Sequence, residues 1–296
     1  MDKYNIKLLK GGPEYAETDK FFFAIPFVLL SVAKRMSGKS CSLTQYLQIL
    51  KNMGKLDRLI MVSPTWANNK HYFVGLPIDE ENDVLEPTLH SADIVMRKLD
   101  EEAAEYDLYK EKLNKWKELQ AFIKSKKNLN AIDEELLIYF AEDMKKPVPK
   151  YGGRKPIVVC MFDDCQNTPA FSPKSNISYL TIKHRHLGIT KTDGSIGCNL
   201  MYAIQNYTSN SGGLPKSVRG NITQLCVFKN KNQKELGIIA DECSGEVSPE
   251  TFLKLHQEAT REPYGFLTVD FNPKKNHPSM FRKCWDTWLI PDKNNM

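Results

Sequence analysis

The sequence predicts an α/β protein with a mostly parallel central sheet flanked by helices. Two observations carry that expectation. Continuous apolar runs of strand length recur along the chain, as in "FVLLSV", "PIVVCMF" and "NLMYAI". The first of them leads into a glycine-bearing loop, an amphipathic stretch and another apolar run, which is the order of a βαβ unit. Strands that are apolar at every position are covered on both faces, as in parallel sheets joined by right-handed crossovers.

The elements follow in order. Phe27 to Val32 reads as a buried strand, with a loop over 33–38. In "KSCSLTQYLQILKNM", Leu43, Tyr46, Leu47, Ile49 and Leu50 fall near helical spacing, and Gly54 stops the helix. "LDRLIMVSPTW" is a second strand, closed by Ser63, Pro64 and Thr65. From about 95 to 145 the text becomes densely charged, and Leu99, Ala103, Tyr106, Leu113, Trp116 and Ile123 form a stripe close to heptad spacing. "DEELLIYFAEDM" is expected to fold back on it as a helical hairpin. The plain reading is a solvated helical insertion with one buried face; a surface for DNA or a neighbouring subunit is the other. After the turn-rich "KKPVPKYGGRKP" come four more strand signals, "PIVVCMFDDCQ", "GCNLMYAIQ", "NITQLCVFKN" and "YGFLTVDF". Residues 1–296 are expected to form a single domain, with 95–145 as an insertion within it.

Composition bounds the function. A chain of 296 residues can bury a substantial core, and a net charge of +5 permits contact with nucleic acid without arguing for it. The seven cysteines are scattered, with no Cys-x-x-Cys pair, which disfavours a disulfide framework or a zinc site and fits a reducing compartment. The polar N-terminus does not read as a signal peptide. The run from Phe21 to Val32 contains Pro26 and falls short of the about 20 residues that cross a bilayer, so no membrane contact is expected.

The chemistry lies at the strand ends. "AKRMSGKS" finishes in Gly38, Lys39 and Ser40, as a phosphate-binding P-loop does. Such a loop wraps phosphates with backbone N–H groups at a helix N-terminus, its lysine reaches the β and γ phosphates, and its hydroxyl ligates Mg²⁺. Ser37, Gly38, Lys39, Ser40 and Cys41 are the expected nucleotide-binding segment. The usual first glycine is Ala33 here, a position that tolerates alanine if its φ stays negative. "IVVCMFDD" has the Walker B form: Asp163 is placed to hold Mg²⁺ and Asp164 to polarise an attacking water. Each motif alone also suits an ordinary turn or a capped strand end; their occurrence in order, on strands of the right kind, weakens that reading. Gln205, at the end of "NLMYAIQ", is placed to sense a terminal phosphate. Arg185 in "HRHLG" and Arg219 in "PKSVRGN" are candidates for an arginine acting on a neighbouring subunit, although either also suits a surface ion pair. His184 and His186 have no third ligand at metal spacing.

Taken together, "AKRMSGKS", "LIMVSPTW", "IVVCMFDDCQN", "HRHLG", "YAIQNY" and "PKSVRGNITQLCVFK" resemble the DNA-packaging ATPases of large double-stranded DNA viruses and virophages. This is the poxvirus-type branch of the FtsK–HerA superfamily, and the resemblance spans roughly residues 20 to 270. It implies a RecA/FtsK-like P-loop core that assembles as a homo-oligomeric ring. ATP hydrolysis would drive double-stranded DNA into a capsid at a portal vertex. It further implies ATP and Mg²⁺ as cofactors and a place in the viral factory of the host cytoplasm. Under it, Lys39 and Ser40 bind nucleotide and metal, Asp163 holds the metal, Asp164 activates water, Gln205 is the sensor, and Arg185, then Arg219, is the trans-acting arginine. Two alternatives stand beside it: another P-loop enzyme such as a nucleotide kinase, or a degenerate P-loop protein with a structural role. Candidate DNA contacts are 229–234, Lys274 with Lys275, and the helix over 110–127.

Overall fold

The computed structural model describes residues 6–8, 25–125, 145–208 and 213–291. Among the described residues ten strands form one sheet. In chain order they are β1 (Ile6–Leu8), β2 (Val28–Val32), β3 (Arg58–Val62), β4 (Val84–Leu85), β5 (Val158–Asp163), β6 (Asn199–Ile204), β7 (Gln224–Phe228), β8 (Phe266–Asp270), β9 (Phe281–Lys283) and β10 (Thr287–Pro291). Their order across the sheet is β1-β10-β9-β8-β7-β2-β6-β5-β3-β4. From β7 to β4 every pairing is parallel, and from β7 back to β1 every pairing is antiparallel.

The strands of the parallel half are buried on both faces, which is why their sequences are continuously apolar. Alternate residues divide between two cores. Val28, Leu30, Cys160, Phe162, Leu200 and Tyr202 face one side. Leu29, Val159, Met161, Met201 and Ala203 face the other. The helices α1 (Lys39–Asn52), α2 (Trp66–Asn69), α3 (Ser91–Lys124), α4 (Ile177–Lys183), α5 (Lys216–Arg219), α6 (Gln233–Cys243) and α7 (Pro249–Ala259) cover these faces. On the second side α1 lays Leu43, Tyr46, Leu47 and Leu50 on the sheet. Leu99 of α3, Leu180 of α4, Ile239 of α6 and Phe252 of α7 pack on the first.

The described part of the charged segment up to residue 124 lies in one helix of 34 residues, α3. Its apolar stripe is buried at Leu99 and Ala103, half-buried at Tyr106, Leu113 and Trp116, and exposed at Ile123, while Leu119 beside it is buried. The expected return helix over 133–144 lies outside the described residues. The helix is moored at its base by charge. Arg58 on β3 donates Nη1 to Glu102 Oε1 at 2.7 Å, and Nε and Nη2 to Asp83 at 3.0 and 2.7 Å. Lys150 adds a bond to Glu102 at 2.9 Å. The Glu102 side chain is 3% exposed. All seven cysteines are unpaired, six of them buried or half-buried. Among the described residues no helix is long and apolar enough to cross a membrane.

Removing one member of a buried charge network strands the others. Glu102→Ala is therefore expected to destabilise the fold by about 3 kcal/mol in urea denaturation, with Glu102→Gln costing less because it still accepts from Arg58.

Candidate functional site

Three parallel strands end level with one another. Val32 of β2 pairs with Ile204 of β6, and Asp163 of β5 pairs with Ala203 of β6. The chain leaving each carboxyl end therefore enters one cleft of about 400 Å³, whose walls include Lys39, Ser40, Asp163, Asp164 and Gln205. Crevices at the carboxyl ends of parallel strands are where open α/β sheets bind ligands.

The loop from β2 to α1 makes one wall. Ala33 is 3% exposed, has no positive φ, and donates its N–H to Ile204 O at 3.0 Å. The alanine thus fits where a glycine is usual. The left-handed turns come later, at Met36 with φ 59° and Gly38 with φ 86°. Met36 stands at the loop tip, almost wholly exposed. Gly38 is the N-cap of α1, without a side-chain cap and with no acid in the first turn. The first N–H groups of a helix have no preceding turn to bond, and the helix dipole adds positive potential there. This is an anion cradle.

Opposite stand the two acids, and their backbone sends them different ways. Asp163 continues β5 and is buried, with its side chain 3.7 Å from Lys39 Nζ. Its Oδ1 accepts no hydrogen bond. Burial pushes this carboxyl above the usual carboxylate range; the Lys39 charge opposes the shift and Asp164 adds to it. Asp164 turns into the left-handed region at φ 55°, which swings it out of the strand line. Its Oδ1 accepts from Gln205 Nε2 at 2.7 Å. Gln205 is steadied in turn by Gln166, whose Oε1 accepts the N–H of Gln205 at 3.0 Å and of Asn206 at 3.1 Å.

A buried carboxylate oxygen without a hydrogen bond, lining one cleft with a serine hydroxyl, offers oxygen ligands to a hard cation once the lysine turns to an anion. Mg²⁺ suits it, with Asp163 and Ser40 as the protein groups. Among the described residues there is no cluster of three or more His, Cys, Asp or Glu that would hold a metal unaided.

Neither candidate arginine lines the cleft. Arg185 lies on the turn over 184–186, which bonds to Cys198 just before β6, so it sits at the amino-terminal end of the parallel strands, opposite the cleft, exposed. Arg219 is engaged within its own chain: Nη1 donates to Tyr207 O at 2.9 Å, Nη2 lies 3.6 Å from Glu242, and the guanidinium covers the Tyr207 ring at 4.7 Å. His184 is buried and its Nδ1 lies 2.8 Å from Cys198 O.

Sequence reading missed several residues here. Lys34 lines the cleft and pairs with Glu235, which is 201 positions away in the chain. Asn232 to Glu235 is an N-cap pattern that could have marked the start of α6. Tyr264, exposed and itself at φ 63°, leans on Gly38; a Cβ at Gly38 would lie 3.1 Å from its Cδ1.

The fold is α/β, a mostly parallel sheet flanked by helices, with a glycine-bearing loop leading from a central strand into a helix. No family model matches the chain, and no curated protein matches it by sequence. Solved structures resemble it at low identity. The DNA-packaging ATPase B204 of Sulfolobus turreted icosahedral virus is 14% identical over 88% of this chain and 97% of that one, at a TM-score of 0.46. The pCW3 conjugation coupling protein TcpA is 14% identical over 98% and 68%, at 0.43. The cytoplasmic domain of the type VII secretion ATPase EccC of Thermomonospora curvata is 14% identical over 88% and 25%, at 0.42.

The turn at Gly38 is one that only glycine adopts without strain. Gly38→Ala is expected to destabilise the protein by about 1–2 kcal/mol, and adding Tyr264→Ala should relieve the contact but not the φ. Denaturant unfolding of the single and double variants checks this.

Proposed function

We propose that this protein is an ATP-hydrolysing motor that moves double-stranded DNA, in the manner of the viral genome-packaging ATPases its sequence resembles. The convergence of Lys39, Asp163, Asp164 and Gln205 at the ends of three adjacent strands carries the hydrolytic part of that reading. In it, the N-terminus of α1 and Lys39 bind the phosphates, with Ser37 to Cys41 supplying the loop. Ser40 and Asp163 would hold Mg²⁺, which neutralises charge developing on the β and γ phosphates. Asp164 accepts a proton from the attacking water, and Gln205, already bonded to Asp164, orients that water against the terminal phosphate.

The position of β6 between β2 and β5 favours this over a nucleotide kinase, because it sets an amide between the phosphate loop and the two acids. Arg185, exposed and remote from its own cleft, is suited to a neighbouring subunit's nucleotide in a ring. Arg219 is occupied by Tyr207 and Glu242 and is the weaker choice. The capsid, the portal vertex and the viral factory belong to the reading through the sequence resemblance. A motor that grips duplex meets phosphates through Lys and Arg, so its binding should weaken steeply with salt. Lys229, Lys231 and Lys234 are exposed and suit that contact, whereas Asn230 between them is turned inward.

Two outcomes follow. Purified protein is expected to hydrolyse ATP faster with linear duplex DNA. Lys39→Ala should lose nucleotide binding and turnover, and Asp164→Asn should keep binding while turnover falls about 100-fold or more. Absence of nucleotide binding by the unaltered protein would overturn the reading. The second outcome concerns pH. Because the folded pKa of Asp163 is raised, the folded state holds an extra proton between the ordinary carboxylate value and that raised one. As pH rises through that window the nucleotide-free protein should lose stability and gain Mg²⁺ affinity. Asp163→Asn should abolish both trends in melting curves and in calorimetric titration of Mg²⁺ with nucleotide.

A further inference from the structure

A second lysine of the phosphate loop is left unused by the proposed chemistry. Lys34 lines the cleft but turns its ammonium to Glu235 Oε2, at 3.2 Å, and to Asn206 Oδ1. Glu235 lies in the first turn of α6, and its side chain is 3% exposed. Its two oxygens join three separate segments. Oε1 accepts the N–H of Tyr207 at 2.7 Å and of Thr208 at 3.4 Å, which fixes the chain just past β6. Oε2 accepts Asn230 Nδ2 at 2.7 Å as well as the lysine. A carboxylate offers about four lone-pair sites, and all are used. Burial would raise this carboxyl, but the bonds from Asn230 and Lys34 outweigh it and hold it below the usual range.

The chain that Glu235 grips runs straight into the water-orienting amide. Asn206, whose side chain holds Lys34, is next to Gln205, and Gln205 holds Asp164. Lys34 is also free to respond to a ligand: its side chain is 40% exposed, and a polyphosphate in the loop would compete with Glu235 for its charge.

We propose that Glu235 is a positioning residue which, through Lys34, ties the phosphate loop to the tip of β6, so that the state of the loop is transmitted to Gln205 and Asp164. What is transmitted rests on the ATPase reading above; the tie itself does not. A plain buried ion pair would brace the loop alone. A tie makes a change in the loop felt on the far strand.

The test uses the full chain with Lys34→Met and Glu235→Gln, singly and together, read by hydrogen exchange over 33–38 and 204–208 and by nucleotide affinity and turnover. Lys34→Met is expected to speed exchange of the amides from Gln205 to Thr208 about tenfold, although the substitution lies in the loop. Glu235→Gln should speed both segments. Turnover should fall about tenfold in each single variant, with affinity kept in Glu235→Gln and lowered in Lys34→Met, and turnover of the double variant should be no worse than that of the worse single one. Exchange that changes only in the substituted segment would overturn the proposal, as would additive losses of turnover. Should Glu235→Gln fail to fold, Lys34→Met, at a half-exposed site, carries both readouts. If the unaltered protein binds nucleotide but does not turn it over, the ATPase reading fails while the exchange data still decide whether the tie exists.

Discussion

The site depends on one pairing, that of Lys39 with Asp163 in a corner nearly closed to water. A lysine and a carboxylate at 3.7 Å, with side chains 11% and 3% exposed, interact far more strongly than on a surface. The acid lacks a hydrogen bond on Oδ1 and is pushed toward its neutral form. The arrangement is therefore under electrostatic tension that an incoming polyphosphate and cation would relieve, the lysine going to the anion and the acid to the cation. That pairing exists because β2 and β5 are held one strand apart by β6 in parallel register. The sheet sets the distance, and the chemistry inherits it.

Backbone conformation then sorts side chains that sequence places side by side. Asp163 and Asp164 are neighbours, yet one points along the buried strand end and the other meets Gln205, because Asp164 enters the left-handed region. A similar device bends the loop from β2 to α1 at Met36 and Gly38. Non-glycine residues in that region carry strain and persist only where the surroundings hold them. Here two of them border a single cleft.

Much of this was legible in the sequence. The strands β2, β3, β5, β6 and β7 announce themselves as unbroken apolar runs because both faces of each are covered, and α1 shows its inward face at Leu43, Tyr46, Leu47 and Leu50. Ala33 was legible too, on the condition that its φ stayed out of the left-handed region, and it does. The direction of β8 was not legible, since a buried strand reads alike in either sense. Nor were β9 and β10, where Arg282 interrupts the apolar text; in the fold it is 1% exposed and 3.6 Å from the buried Asp270. The tie between Lys34 and Glu235 crosses 201 positions, and no local pattern encodes such a contact. Arg185 and Arg219 look equivalent as isolated arginines. Their difference, one exposed at the amino-terminal end of the parallel strands and one spent on Tyr207 and Glu242, is purely tertiary.

The most direct test of the central claim is a structure of the protein with Mg²⁺ and a non-hydrolysable ATP analogue. The account expects the triphosphate against the N-terminus of α1 and Lys39 drawn from Asp163 to phosphate oxygen. The metal should lie about 2.1 Å from Ser40 Oγ, on the Asp163 side of the cleft, with Gln205 facing the terminal phosphate. A nucleotide bound elsewhere, or one bound in the cleft while Lys39 keeps its partner and the cation avoids Asp163, would contradict it.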